Sequence, residues 1–290
     1  MEIVLIWNTL NYIGIPEELP RPRYFYSATN PYIFLIMTEN YPRAINAKKV
    51  KIHGLDGSID AYLAQPVATG IYPGIVVLQE IFGVNEHIRD VTERIARLGY
   101  VAIAPALFQR QAPGFEAGYS PDEIEIGRKY AWSQTKATEL LGDIASTINY
   151  LKTLENVQPA NFGCIGFCFG GHVAYLAATL PDIKATASFY GAGIPTRTPG
   201  GNHPTLLRTS EISGTIYLFF GMEDASIPQE QVDEIEDTLK KHQVPHRIFR
   251  YDGANHGFFC DHRASYNVKA AAEAWEQVQQ LFSLLVKTND

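Results

Sequence analysis

A cysteine flanked by glycines is the strongest sign of covalent chemistry in this sequence. Cys168 lies in Gly166-Phe167-Cys168-Phe169-Gly170, between an apolar run and the small-residue stretch that starts at Val173. A G-x-C-x-G turn from a strand into a helix is the pattern of a nucleophile elbow, with cysteine in the place of serine. The glycines permit a tight turn, and the helix N-terminus favours a thiolate. We therefore predict that Cys168 is a nucleophile, and that Cys164 is an ordinary core residue.

A cysteine nucleophile needs a base and an acid that orients the base, and both occur later in the chain. Asp224 and then His256 each lie just beyond a predicted strand, in the order nucleophile, acid, base. We expect His256 to take the proton of Cys168 while Asp224 holds the imidazole ring. The adjacent Glu223 is a competing acid, and we favour Asp224 because an orienting aspartate has the shorter reach.

The other histidines lack this context. A zinc site formed by His256, Cys260 and His262 is an alternative, because imidazole and thiolate are good zinc ligands. Their spacing matches no closed zinc pattern, and recruiting His256 would leave the elbow without a base. We therefore do not favour a metal site at these residues. Surface or loop positions are expected for other histidines, such as His53, His87, His203, His242, His246 and His262.

The bulk composition favours small-molecule chemistry. The chain has 290 residues, of which 46% are apolar, so it can bury a sizeable core. Its formal charge of -7 opposes attraction to nucleic acid and to anionic membranes. Three cysteines in so long a chain do not resemble a disulfide framework and indicate a reducing, cytoplasmic setting. The sequence leaves open whether the protein is a monomer or a small homo-oligomer.

From about Lys48 the sequence alternates strand-like and helix-like segments, which predicts one α/β domain over residues 48–290. The pair Asp56-Gly57 predicts the turn of an antiparallel hairpin at one edge of a mostly parallel central sheet, which has helices on both faces. Asn85 and Gly99 mark the start and stop of the first helix. Strands are expected at 50–53, 59–63, 74–78, 100–104, 163–167, 185–190, 215–220 and 247–251, and further helices at 139–151, 173–179, 228–242 and 265–286.

Residues 1–47 stand apart from this pattern. Their apolar runs at 3–7 and 32–37 are too short to span a membrane, and no cation precedes Arg21, unlike a secretory signal. Pro16, Pro20, Pro22 and Pro31 interrupt regular structure there. We expect an N-terminal extension of uncertain order, and hypothesise that the working protein begins at Met37.

Two further stretches accompany the elbow: Gln79-Glu80-Ile81-Phe82-Gly83-Val84-Asn85 and Leu107-Phe108-Gln109-Arg110-Gln111-Ala112-Pro113-Gly114. Together with the elbow they resemble the dienelactone hydrolases, or carboxymethylenebutenolidases, of the α/β-hydrolase superfamily. The resemblance runs from about Lys48 to about Leu285. It implies an α/β-hydrolase fold and a Cys-Asp-His hydrolase that opens a small carboxylate-bearing lactone through a thioester, without metal or organic cofactor.

The resemblance also implies roles for individual residues. Glu80 matches a glutamate that contacts the resting thiol and helps to generate the thiolate. The backbone N–H groups of Ile81 and Phe169 match an oxyanion hole. Arg110 matches an arginine that holds the substrate carboxylate, and Tyr190 matches an aromatic residue of the pocket wall.

The sequence departs from the family pattern at one substrate-binding position. Cys260 stands where a second carboxylate-binding arginine is expected, and Arg263, three residues later, is the nearest substitute. This departure affects the identity of the substrate rather than the type of reaction. A broad carboxylesterase or thioesterase is therefore an alternative, and a non-catalytic thiol sensor or ligand-binding pseudohydrolase is a further one.

Overall fold

The computed structural model describes residues 43–54 and 56–286, so the predictions for residues 1–42, including a start at Met37, lie outside the described residues. The strands are β1 Ile45–Gly54, β2 Gly57–Pro66, β3 Gly74–Leu78, β4 Val101–Pro105, β5 Phe162–Phe167, β6 Ile183–Phe189, β7 Thr215–Gly221 and β8 His246–Tyr251. The helices are α1 Glu86–Arg97, α2 Pro121–Lys129, α3 Ala137–Lys152, α4 Phe169–Ala177, α5 Gln229–Lys241 and α6 Val268–Ser283.

These strands form one eight-stranded sheet in the order β1-β2-β4-β3-β5-β6-β7-β8. The six strands from β3 to β8 run parallel to one another, and only β1 and β2 pair antiparallel to their neighbours. The prediction of a mostly parallel α/β sheet is confirmed. Among the described residues no helix is long and apolar enough to cross a membrane.

Two cores, one on each face of the sheet, follow from the alternation of side chains along β3. Ile75 and Val77 pack with α1 and α6, whereas Val76 and Leu78 pack with α3 and α4. All five residues of β3 are buried. A continuous apolar run is therefore needed here, because a parallel strand covered on both faces has no solvent-facing side.

The predicted edge hairpin is also confirmed. β1 pairs with β2 from Ile45 opposite Pro66 to Gly54 opposite Gly57, and β2 then joins β4. Because β1 begins at Ile45, residues 45–47 belong to the sheet rather than to the preceding segment.

Helix α1 begins where the sequence predicts, but the predicted exposure of His87 is wrong. The side chain of Asn85 accepts a hydrogen bond from the Ile88 N–H at 3.3 Å and caps the helix. His87, expected at the surface, is only 1% exposed and packs between the rings of Phe167 and Phe259. The surface assignment of His87 was wrong.

Two short segments that cover one side of the sheet were not predicted. Helix α2 is capped by Ser120, whose hydroxyl accepts from the Glu123 N–H while the Glu123 carboxylate accepts from the Ser120 N–H. A π-helical turn at Tyr130–Gln134 continues α2 towards α3. Since Pro121 and the Ser120-to-Glu123 capping box are recognisable in the sequence, α2 had a local signal.

Arg110 connects the hairpin to helix α3. Its guanidinium forms a forked ion pair with Asp143, in which Nη2 donates to Oδ1 at 2.8 Å, and it also donates to Asp56. The Asp143 side chain is 1% exposed. Burial raises the pKa of Asp143 and Arg110 opposes that rise, so the arginine compensates a buried carboxylate.

We expect Arg110→Ala to lower the free energy of unfolding by about 3 kcal/mol, because it leaves Asp143 buried without its counter-ion. Urea unfolding followed by circular dichroism measures this loss. The control is Arg97→Ala, which breaks a half-buried ion pair with Glu93 on the helix surface and should cost less than about 1 kcal/mol. Equal stabilities for the two variants would contradict a structural role for Arg110.

Candidate active site

The turn between β5 and α4 holds its central residue in a strained conformation. Cys168 has φ 53° and ψ −114°, a region that costs side-chain-bearing residues energy. A Cβ added at Gly166 would lie 1.9 Å from the Gly170 carbonyl oxygen, and one added at Gly170 would lie 2.3 Å from that of Leu78. Only glycine fits both positions, so this turn has the geometry of a nucleophile elbow.

Asp224 and His256 meet at the edge of the sheet where the neighbouring strands β7 and β8 end. Nδ1 of His256 lies 2.6 Å from Oδ2 of Asp224, and Oδ1 of Asp224 accepts from the Ser226 N–H at 2.8 Å. Asp224 is therefore the acid in contact with the imidazole, in preference to its neighbour Glu223. The carboxylate is nearly buried, whereas the His256 side chain is 19% exposed.

Electrostatics around His256 favour its charged form. Burial lowers its pKa, but the influence of Cys168 and the hydrogen bond to Asp224 outweigh burial and raise the pKa of His256 to about 10. An imidazolium beside a thiol stabilises the thiolate, which is the reactive form of cysteine. Cys164, in contrast, is fully buried in β5, and burial raises the pKa of its thiol.

Glu80 lies just beyond the end of β3 and is fully buried. Its Oε1 accepts from Nη1 of Arg263 at 3.3 Å, and its Oε2 has no hydrogen-bond partner within the described part of the chain. Burial raises the pKa of Glu80, while Arg263 and His256 oppose the rise. A carboxyl group with a raised pKa and a free oxygen can exchange a proton with its surroundings.

The two predicted oxyanion donors lie beside the nucleophile. Ile81 and Phe169 line the same cavity as Cys168 and His256. Phe169 is the first residue of α4, where backbone N–H groups have no partner inside the helix. The positive end of the α4 dipole favours negative charge at this point.

The cavity in front of Cys168 has a volume of about 340 Å³. One wall is apolar and aromatic, with Phe82, Ile124 and Trp132, and the latter two belong to α2 and the π-helical turn. The chain segment that was not predicted thus forms a wall of the site. Such a volume suits a small ligand.

Three arginines, Arg128, Arg197 and Arg263, also line the cavity. The guanidinium of Arg197 lies 3.9 Å from the centre of the Trp132 ring. Partial burial and the nearby charge of Arg128 lower the pKa of Arg197. Neither Arg128 nor Arg197 forms an ion pair with another described residue, so both charges are available to an anionic ligand.

Two substrate-binding predictions need correction. Arg110 does not line this cavity, because its guanidinium is held by Asp143 and Asp56. Tyr190 is fully buried and touches the edge of the His256 ring, with 5.2 Å between the ring centres, rather than lining the cavity. Arg263 does line the cavity, as predicted, but there it contacts Glu80.

The sequence analysis did not identify Arg128 and Arg197 as cavity residues. No short sequence pattern marks them, since only tertiary packing brings them together.

Comparison with known proteins agrees with this architecture. The model of the dienelactone hydrolase family matches residues 59–285. A protein of Synechocystis sp. named "Putative carboxymethylenebutenolidase" is 58% identical over 243 residues, which cover 84% of this chain and 98% of that protein. A protein of Bradyrhizobium sp. named "Probable 2-oxo-3-(5-oxofuran-2-ylidene)propanoate lactonase" is 31% identical over 217 residues, covering 74% of this chain and 85% of that one.

A solved structure shares the fold along almost its whole length. The crystal structure titled as a dienelactone hydrolase from Klebsiella pneumoniae superposes with a TM-score of 0.75 at 31% sequence identity, and the match covers 83% of this chain and 99% of that one. The matched region contains the elbow, the histidine loop and the strands that carry them. The chain belongs to the dienelactone hydrolase family of ester and lactone hydrolases.

Proposed function

We propose that this hydrolase opens a small lactone or activated ester that bears a carboxylate, through a Cys168-His256-Asp224 triad and a thioester intermediate. The observation that carries the proposal is the pair formed by Cys168 and His256 inside one cavity, with Asp224 2.6 Å from the imidazole. The raised pKa of His256 supports a thiolate-imidazolium pair at neutral pH. A thiolate is an adequate nucleophile for an activated ester.

The first half of the reaction forms the thioester. The Cys168 thiolate adds to the lactone carbonyl carbon, and the N–H groups of Ile81 and Phe169 stabilise the oxyanion. The carbon–oxygen bond of the ring then breaks as the carbonyl re-forms. The leaving oxygen receives a proton from the His256 imidazolium, and a conjugated substrate makes this easier because its leaving group is a delocalised enolate.

The second half returns the enzyme to its starting state. Neutral His256 takes a proton from water as the water oxygen adds to the thioester carbonyl. The carbon–sulfur bond breaks, the acid product leaves, and the thiolate and imidazolium are restored. Asp224 holds the ring throughout, and Glu80 assists formation of the thiolate by accepting the proton of the resting Cys168 thiol.

The positive charges that line the cavity favour a substrate that bears a carboxylate. Arg128 and Arg197 present unpaired positive charges, and Arg197 is held against Trp132. The compound in the name of the Bradyrhizobium relative is a lactone that carries a carboxylate group. We assign carboxylate binding to Arg197 and Arg128, assisted by Arg263, in place of Arg110.

We expect Cys168→Ala to lower kcat for dienelactone by at least about a thousandfold, since removing a nucleophile leaves only binding and oxyanion stabilisation. Steady-state kinetics measures the loss. Cys164→Ala is the matched control, because it removes a thiol four residues away that is buried in β5, and it should retain activity. Full hydrolysis by Cys168→Ala would contradict the covalent mechanism.

We expect Arg197→Met to raise KM for dienelactone roughly tenfold to a hundredfold, because a charge-assisted hydrogen bond to the carboxylate is lost. KM for the uncharged ester p-nitrophenyl acetate should stay unchanged. Arg94→Met is the control, because Arg94 also lies over a tryptophan, at 4.3 Å from the Trp275 ring, but outside the cavity. Equal losses with both substrates, or a clear preference of the wild type for uncharged esters, would favour a broad carboxylesterase.

A further inference from the structure

Three potential metal ligands from different parts of the fold meet beside the active site. Glu80 follows β3, His87 lies in α1, and Cys260 lies in the loop after β8. Their ligating atoms all lie within 4.8 Å of one another. All three residues are buried, with exposures of 0%, 1% and 0% in that order. This group differs from His256, Cys260 and His262, which the sequence offered as an alternative metal site.

Several polar atoms in this cluster lack a protein partner. Oε2 of Glu80 and both ring nitrogens of His87 form no hydrogen bond with any described residue. The Cys260 sulfur lies 3.3 Å from the Tyr119 hydroxyl and also accepts a hydrogen bond from the His262 backbone. A buried polar atom without a partner costs about 1–3 kcal/mol, so packing alone does not account for an imidazole with both nitrogens free.

We propose that Glu80, His87 and Cys260 form a binding site for a divalent transition-metal ion of the zinc class. One carboxylate oxygen, one imidazole nitrogen and one thiolate sulfur are a donor set that zinc accepts. The thiolate discriminates against magnesium and calcium, which prefer oxygen ligands. Zinc bonds of about 2.0–2.3 Å bring ligand atoms to roughly 3.5 Å from one another, so side-chain movements of about 1 Å close the site.

The charges of the cluster also fit a divalent cation. Binding converts the Cys260 thiol to a thiolate, and its proton passes to the buffer. The two negative charges of Glu80 and Cys260 then offset the charge of the ion. Arg263 is paired with Glu80 in the unoccupied site and also lines the cavity, so we expect its guanidinium to turn towards the cavity when the ion binds.

Occupation of the site has a catalytic consequence that rests on the proposed role of Glu80. A carboxylate bound to a metal ion no longer exchanges a proton near Cys168. Zinc at this site therefore slows formation of the reactive thiolate. The metal acts as an inhibitor of the hydrolase and plays no part in the reaction itself.

The direct test is a Co²⁺ titration of the full-length Cys168→Ala protein, in which the nucleophile cannot act as a ligand. We expect binding of a single Co²⁺ with the near-ultraviolet charge-transfer absorption of a cobalt–thiolate bond. Adding Cys260→Ala should abolish this absorption, whereas adding Cys164→Ala should leave it intact. No Co²⁺ binding, or an absorption that survives Cys260→Ala, would overturn the proposal.

A second variant tests the site without changing Cys260, because the loss of this residue could disturb the loop after β8. His87→Phe places an aromatic ring among Phe167 and Phe259, and circular dichroism verifies its folding. We expect its Co²⁺ affinity to fall at least about tenfold, and its hydrolysis to resist Zn²⁺ that slows the wild type. Equal inhibition of both proteins would place the inhibitory zinc at Cys168 and His256 and refute the inhibitory role. Activity of Cys168→Ala, in contrast, tests only the proposed function.

Discussion

One arrangement, the His256 imidazole in contact with the Asp224 carboxylate and beside Cys168, sets what the rest of the structure must supply. His256 loses hydration at the base of the cavity, and this cost is outweighed by the charges of Cys168 and Asp224. Each partner must therefore be fixed to within hydrogen-bonding distance. The parallel sheet does this, because β5, β7 and β8 end at the same edge and place the three side chains on adjoining loops.

The elbow shows how the backbone meets this demand. A strained residue persists only when its surroundings leave no alternative, and here the carbonyl oxygens of Leu78 and Gly170 occupy the space that side chains at Gly170 and Gly166 would need. The Cys168 N–H also donates to the Phe189 carbonyl at 3.0 Å. The same close approach brings the end of β3 against the elbow.

Buried charge explains why Arg110 does not hold the substrate, and it is also the basis of the proposed metal site. Arg110 is committed to Asp143, a carboxylate that the fold buries, and so is not free to hold a substrate. At the cavity, Arg128 comes from the last turn of α2 and Arg197 from the loop after β6, and neither is paired with another described residue. Glu80 is buried with only one of its oxygens paired, and both ring nitrogens of the buried His87 have no partner within the described part of the chain. The metal site inferred above follows from this shortage of partners.

The sequence predicted the features that depend on local pattern. Cys168 with its glycines, the strands before Asp224 and His256, and the Asn85 cap are all encoded within a few residues. The burial of His87 also had a signal, since it lies four residues before Val91 on the apolar face of α1. The pairing of Arg110 with Asp143, 33 residues apart, and the meeting of Arg128 with Arg197 depend on tertiary packing, which no short pattern encodes.

The most direct test of this arrangement is the ionisation of His256 itself, followed by NMR of its ring resonances in isotopically labelled protein. Because Cys168 and Asp224 raise its pKa, the ring should stay protonated from neutral pH upwards and lose its proton near pH 10. Cys168→Ala should move this transition to lower pH, since it removes the largest favourable charge. A transition near the ordinary histidine pKa of about 6.5 in the wild type would contradict a thiolate-imidazolium pair.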